Sequence, residues 1–149
     1  MFGFSKNKRK RSRKSKENKR IVVHQVNCVG KMNTGLSKQI KDKYPQLFKD
    51  YRERCMIFDY TELLGTNYYY EDKDVIIANM FSQIGCDTDA RQTDYEALAT
   101  CLDKVRKMYP TQTIIAPYLI GCNPGGGDWN IVSKILERYN IETKENIKL

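Results

Sequence analysis

The sequence predicts an α/β domain built on a central mixed sheet, and three observations carry that prediction. β-Branched apolar runs at 21–26 and 113–116 alternate with stretches of helical periodicity, the pattern of strands joined by helical crossovers. A hairpin pattern over residues 66–81 adds an antiparallel pair. Gly125, Gly126 and Gly127 fall between the run at 113–116 and a helical pattern, where open α/β sheets place their ligand-binding loops.

Taken in order, Ile21-Val22-Val23-His24-Gln25-Val26 reads as a buried strand. A polar loop, Cys28 to Gly35, interrupts it. A helix follows with Leu36, Ile40 and Tyr44 on one face and stops before Pro45, because proline disfavours a helical conformation in the residue ahead of it. Leu47, Phe48 and Tyr51 mark a second short helix reaching about Arg54. Residues 66–70 and 75–81 flank Glu71-Asp72-Lys73-Asp74 as a hairpin, and 84–92 is a polar loop. Thr93 with Glu96 three residues on has the form of a capping box, opening a helix whose apolar face is Ala97, Leu98, Cys101, Leu102 and Val105. The strand at 113–116 leads through the glycines to a helix from about Asp128 to Tyr139, with a last strand near Ile141-Glu142-Thr143. The sequence contains no internal repeat.

The 149 residues suit one domain, with residues 20–149 folded behind a leader. Residues 1–20 hold ten of the 26 Lys and Arg and a single acid, Glu17. The remainder is close to neutral, so the formal charge of +8 belongs to the leader. So dense a run of like charge repels itself and buries almost nothing, which predicts disorder over 1–19. It also suits non-specific attraction to nucleic acid through residues 6–20; the plain alternative is a solvated leader without a partner. No long apolar segment follows, which argues against a membrane span or secretory signal. Five scattered cysteines with no Cys-x-x-Cys, and His24 as the sole histidine, point to reduced thiols, no metal site and no cofactor. The expected location is cytoplasmic, or nuclear if the leader acts as a localisation signal.

Glycine-bearing loops at the carboxyl ends of two strands bring backbone N–H groups close to an anion, because glycine puts no Cβ in the way. Two such loops at one sheet edge suit a molecule with two phosphates; the bland alternative is a merely flexible connection. Neither loop ends in Gly-Lys-Ser/Thr, which excludes the usual nucleoside-triphosphatase loop.

Several ordered motifs over residues 20–142 resemble the macro domain, the ADP-ribose-binding fold. They are Ile21-Val22-Val23-His24-Gln25-Val26-Asn27-Cys28, Met32-Asn33-Thr34-Gly35-Leu36-Ser37-Lys38-Gln39-Ile40, Tyr44-Pro45, Leu63-Leu64-Gly65, Thr93-Asp94-Tyr95-Glu96-Ala97-Leu98, and residues 117–133. The likeness is strongest to the compact branch of ADP-ribose-1″-phosphate phosphatases and protein ADP-ribosylglutamate hydrolases. It implies a three-layer α/β/α fold. It implies that Asn27 hydrogen-bonds the distal ribose, that Gly30 with Asn33, Thr34 and Gly35 forms a first phosphate loop, and that Gly121, Cys122, Asn123, Gly125, Gly126 and Gly127 form a second. Asp128, where the second loop enters its helix, either caps that helix or serves as a general acid/base.

Departures from the family pattern are specific. The basic leader stands where relatives carry a first edge strand and an acid that reads adenine. Ser82-Gln83 stands where some relatives place a lysine nucleophile. Asn33 replaces a glycine, and Pro124 removes one N–H donor from the second loop. His24, three residues before Asn27, points to the opposite face of an ideal strand. Near the strand end that rule loosens, and His24 is then a candidate general base; the alternative is a satisfied core histidine. Tyr95, Tyr118 and Trp129 are candidates for stacking or for core packing. The expected function is binding of ADP-ribose or ADP-ribose-1″-phosphate with hydrolysis at the distal ribose, foremost phosphate removal and next ester hydrolysis of ADP-ribosylated acidic side chains, using His24, Asn27 and Asp128. The alternative is a non-catalytic ADP-ribose reader tethered to nucleic acid by its basic tail.

Overall fold

A computed structural model describes residues 19–87 and 89–149. The leader expectation therefore lies mostly outside the described residues, as does the expectation of a missing strand ahead of residue 20. Lys19 and Arg20 belong to the folded part. Lys19 pairs with Glu71 at 2.7 Å, and Arg20 opens the first strand and donates to the Lys148 carbonyl.

The chain runs β1 (Arg20–Asn27), α1 (Gly35–Lys43), α2 (Pro45–Ile57), α3 (Tyr60–Leu63), β2 (Asn67–Glu71), β3 (Val75–Gln83), α4 (Tyr95–Met108), β4 (Ile114–Pro117), α5 (Trp129–Arg138) and β5 (Glu142–Lys144). Five strands form one sheet in the order β2-β3-β1-β4-β5. β2 is antiparallel to β3, while β3, β1, β4 and β5 pair in parallel. The hairpin and the mixed sheet are thus as the patterning indicates, and both faces of the sheet are covered.

Strand alternation sorts the core into two halves. Ile21 and Val23 of β1, with Ile76, Ala78 and Met80 of β3, pack against Leu98, Leu102 and Val105 of α4 and Val132 and Leu136 of α5. Val22 and Val26, with Val75, Ile77 and Phe81, pack against Ile40 of α1, Leu47 and Tyr51 of α2 and Leu63 of α3. The result is three layers, helix on sheet on helix. Every residue of β3 is buried, as its near-continuous apolar run requires of a strand covered on both faces.

Two local details differ from expectation. The N-cap of α4 is Asp94, whose carboxylate accepts from the Ala97 amide; Thr93 is buried and its hydroxyl instead donates to the Gly121 carbonyl at 2.6 Å. Thr93 is thereby drawn away from the helix end to hold the second loop. Helix α3 was not anticipated, although Asp59-Tyr60-Thr61-Glu62 carries a capping-box pattern that the structure realises.

β1 occupies the middle of the sheet, with β3 on one side and β4 on the other. The chain visits β3 first and then crosses to β4. That reversal opens a crevice at the carboxyl ends of β1 and β4, the place where open α/β sheets bind ligands.

Candidate functional site

The crevice holds two adjoining cavities of about 380 and 290 Å³ that share Gln25, Thr34, Ser37, Gln83 and Pro124. The larger is walled by His24, the first turn of α1 and residues 117–121, 123 and 125. The smaller reaches Asn27, Lys31 and Asn33. Among the described residues no carboxylate lines either cavity, and Lys31 is the one formal charge. Such a surface favours an anion and cannot supply a carboxylate base.

The first loop is shaped by Asn27. Its Oδ1 accepts from the amides of Val29 (3.1 Å) and Lys31 (3.2 Å) and from the Tyr51 hydroxyl (2.7 Å), while Nδ2 donates to the Lys31 carbonyl (2.8 Å). Asn27 therefore folds the turn at 28–31 and ties it to α2. Its acceptor oxygen and one amide hydrogen are thus committed within the protein, which leaves the second amide hydrogen for the smaller cavity that Asn27 lines. The pairing of β1 with β3 steps from Val26–Phe81 to Asn27–Gln83, which leaves Ser82 as the extra residue on β3. At the end of β1 Asn27 reaches Tyr51, in the same helical layer that His24 faces.

Gly30 has φ +81 and backs onto α2, where a Cβ would meet Arg52 Cγ at 3.4 Å. It shapes the loop but lies outside both cavities, a correction to its expected ligand contact. Asn33, Thr34 and Gly35 do line the crevice. Thr34 is the N-cap of α1 without a side-chain cap bond, and the first turn carries no acid. The leading amides of α1 are left facing the crevice with the positive end of the helix dipole.

The second loop is knit by its own glycines. The Gly127 amide donates to the Gly121 carbonyl (2.8 Å) and the Gly126 amide to the Cys122 carbonyl (3.1 Å). A Cβ on Gly125 would collide with Thr93 Oγ1, the Gly121 carbonyl and Gln25 Nε2. Gln25 Nε2 in turn donates to Thr93 Oγ1 (2.8 Å) and its Oε1 accepts from Ser82 (2.9 Å), so this polar cluster pins the loop to the ends of β1 and β3. Gly121, Asn123 and Gly125 line the larger cavity. Cys122, Gly126 and Gly127 do not: Cys122 packs toward the core beside α4 and α5, and the two glycines spend their amides within the loop.

Asp128 is an exposed N-cap whose Oδ1 accepts from the Asn130 amide at 2.8 Å. It lines neither cavity, so the capping role accounts for it and the acid/base role is withdrawn. Tyr95 accepts the Asp128 amide at its hydroxyl and lies under Arg91 rather than in the crevice. Tyr118 does line the larger cavity, held edge-on by Trp129 at 5.3 Å between ring centroids.

His24 is buried, and burial pushes its pKa down to about 4, partly offset by the hydrogen bond to Asn79. Near neutral pH it is an uncharged imidazole. Nε2 lies 2.6 Å from Asn79 Oδ1, while Nδ1 faces Ser37 Oγ at 3.3 Å. Sequence reasoning passed over Ser37, Asn79, Gln25 and Gln83. Ser37 offered a signal, since it follows the first loop by two residues in the first turn of a helix; Asn79 offered none within an apolar strand. Among the described residues no group of three His, Cys, Asp or Glu side chains could hold a metal, and no helix is long and apolar enough to cross a membrane.

No protein-family model matches the chain. A curated relative, the ADP-ribose 1″-phosphate phosphatase of Saccharomyces cerevisiae, is 31% identical over 98 residues, which cover 62% of this chain and 55% of that protein. The chain thus spans about half the length of the relative it matches. Among solved structures, the macrodomain of Mycobacterium tuberculosis DarG superposes with TM-score 0.66 at 21% identity, over 87% of this chain and 89% of that one. A macrodomain protein from Streptomyces coelicolor gives 0.65 at 22%, over 85% and 86%. Thermosipho africanus DarTG in complex with ADP-ribose gives 0.66 at 19%, over 85% of this chain and 37% of that chain. The likeness extends over most of the chain: the fold of this protein is that of the macrodomains.

Proposed function

We propose that this protein binds ADP-ribose or a close derivative in the crevice and hydrolyses a bond at its distal ribose, foremost the phosphate ester of ADP-ribose-1″-phosphate. The observation that carries the reading is the carboxylate-free double cavity between two loops, with uncapped α1 amides on one wall and loop residues 121–125 on the other. Its form suits a diphosphate between two sugars. The curated relative's phosphatase name and the bound ADP-ribose of a structural relative support the same ligand class.

The protein's own groups divide the work. Open amides hold phosphate oxygens and offset their charge. Tyr118 offers an exposed aromatic face at the crevice mouth. His24 is the base within the cavity, neutral and with Nδ1 as its acceptor, and takes a proton from the attacking oxygen. Asn27 acts one step removed, by setting the loop that carries Lys31 and Asn33.

Calorimetric titration of the full chain with ADP-ribose, with AMP as control, tests binding. Saturable heat with ADP-ribose and much weaker heat with AMP are expected; equal or absent heats would sink the proposal. Phosphate release from ADP-ribose-1″-phosphate then separates enzyme from reader. The reader has one observation in its favour: with Asp128 outside the crevice, no carboxylate lines either cavity among the described residues, and His24 is their one imidazole. Binding without turnover would establish it.

A further inference from the structure

We propose that Ser37 is a nucleophile in this crevice, activated by His24, with Asn79 holding the imidazole in place. The three residues come from three elements, α1, β1 and β3, and only the tertiary fold brings them together. His24 and Asn79 are register partners on adjacent parallel strands. Ser37 reaches the imidazole from the first turn of α1.

The hydrogen-bond directions follow from one another. Asn79 Nδ2 donates to the Tyr68 carbonyl at 2.9 Å, so its Oδ1 is the end that faces His24. An oxygen acceptor at 2.6 Å assigns the imidazole proton to Nε2. Nδ1 is then a lone pair, and Ser37 Oγ at 3.3 Å donates to it. This is the serine–base–orienter arrangement of nucleophilic hydrolases, with a neutral amide as the orienting group. The Ser–His contact is long, as such contacts often are before substrate arrives. Ser37 lines both cavities and His24 the larger, so the hydroxyl is presented to the ligand space. The uncapped leading amides of α1 lie beside it, ready for a charge that develops on a reacting oxygen.

For a phosphate monoester, a step that rests on the function proposed above, the chemistry balances without a co-reactant. Ser37 Oγ attacks phosphorus, and its proton passes to Nδ1. The ester P–O bond breaks, and the departing sugar oxygen takes the proton back. A water molecule then attacks the phosphoserine phosphorus, loses a proton through His24 to Ser37 Oγ, and releases inorganic phosphate. In an apolar strand Asn79 would otherwise be an odd choice; here it fixes the tautomer.

The test is intact-mass and peptide-mapping analysis of the full chain after incubation with diisopropyl fluorophosphate, which marks activated serines without needing the natural substrate. A single adduct at Ser37 in the wild type, absent in Ser37→Ala, is expected. Its rate should rise with pH around a midpoint near 4, where His24 loses its proton. Asn79→Asp puts a charged acceptor on Nε2 and should move that midpoint upward; a midpoint that stays put would remove His24 from the activation of Ser37. An unmodified wild type, or adducts scattered over serines and tyrosines without preference for Ser37, would overturn the proposal. The ADP-ribose titration stands apart from this readout. Binding without a Ser37 adduct removes the nucleophile alone, and an adduct without binding removes the substrate assignment alone.

Discussion

The hydroxyl of Tyr51, on α2, donates to Asn27 at the end of β1, 2.7 Å from its side-chain oxygen and 2.8 Å from its carbonyl. Tyr51 is fully buried, and the same Asn27 oxygen gathers the amides of Val29 and Lys31. One contact therefore locks the first loop to the helical layer. Asn27→Ala removes the acceptor of two loop amides and leaves the Tyr51 hydroxyl only the backbone carbonyl of residue 27, and is expected to cost about 1–3 kcal/mol. Tyr51→Phe, which removes the hydroxyl as well as its need for a partner, should cost about 1 kcal/mol. Urea titration of both single variants and the double variant should show strong non-additivity; simple additivity would deny the coupling.

Stability should fall in mild acid because of His24. Its folded pKa, about 4, lies below the ordinary 6.5, so between those values the unfolded chain binds the extra proton. Unfolding free energy attributable to His24 therefore decreases as pH drops from about 6.5 through 4, by at most about 3 kcal/mol. Thermal melts from pH 7 to pH 4 should show the decline, and His24→Gln should flatten it. A wild-type curve that stays level over that range contradicts the burial of a neutral imidazole.

The glycines of the two loops should respond unequally to a methyl group. A Cβ on Gly127 would sit 2.7 Å from the Gly121 carbonyl, backbone that cannot swing aside. Gly127→Ala is expected to cost about 1–3 kcal/mol by overpacking, and to lower ligand affinity by moving the loop. At Gly35 nothing lies within 4 Å, and only the left-handed φ of +53 opposes a side chain. Gly35→Ala should cost about 1 kcal/mol. Denaturation midpoints of the two variants rank them directly.

Asp128 should behave as a cap. Asp128→Ala is expected to lose about 1 kcal/mol, while Asp128→Asn, which keeps an acceptor for the Asn130 amide, should be nearly neutral. Phosphate release, once measured for the wild type, should survive both. A large drop in turnover with unchanged melting would restore Asp128 to the chemistry.

Composition and periodicity were enough to determine the α/β class, the hairpin, the buried face of α4 and the two loops at the carboxyl ends of β1 and β4. These depend on contacts near in sequence: strand alternation, helical spacing and glycine content are local statements, and the sheet obeys them almost everywhere. The site depended on contacts that are not local. His24 meets Asn79 across 55 positions, Asn27 meets Tyr51 across 24, and Gln25 meets Thr93 across 68. At the end of β1 Asn27 turns into the layer that His24 faces, and strand alternation does not predict such a departure. Thr93 and Asp94 differ by one position, yet one ties the second loop and the other caps α4. Which polar side chain serves the fold and which faces a ligand is decided by what lies within about 3 Å of it. Only the folded chain sets that distance.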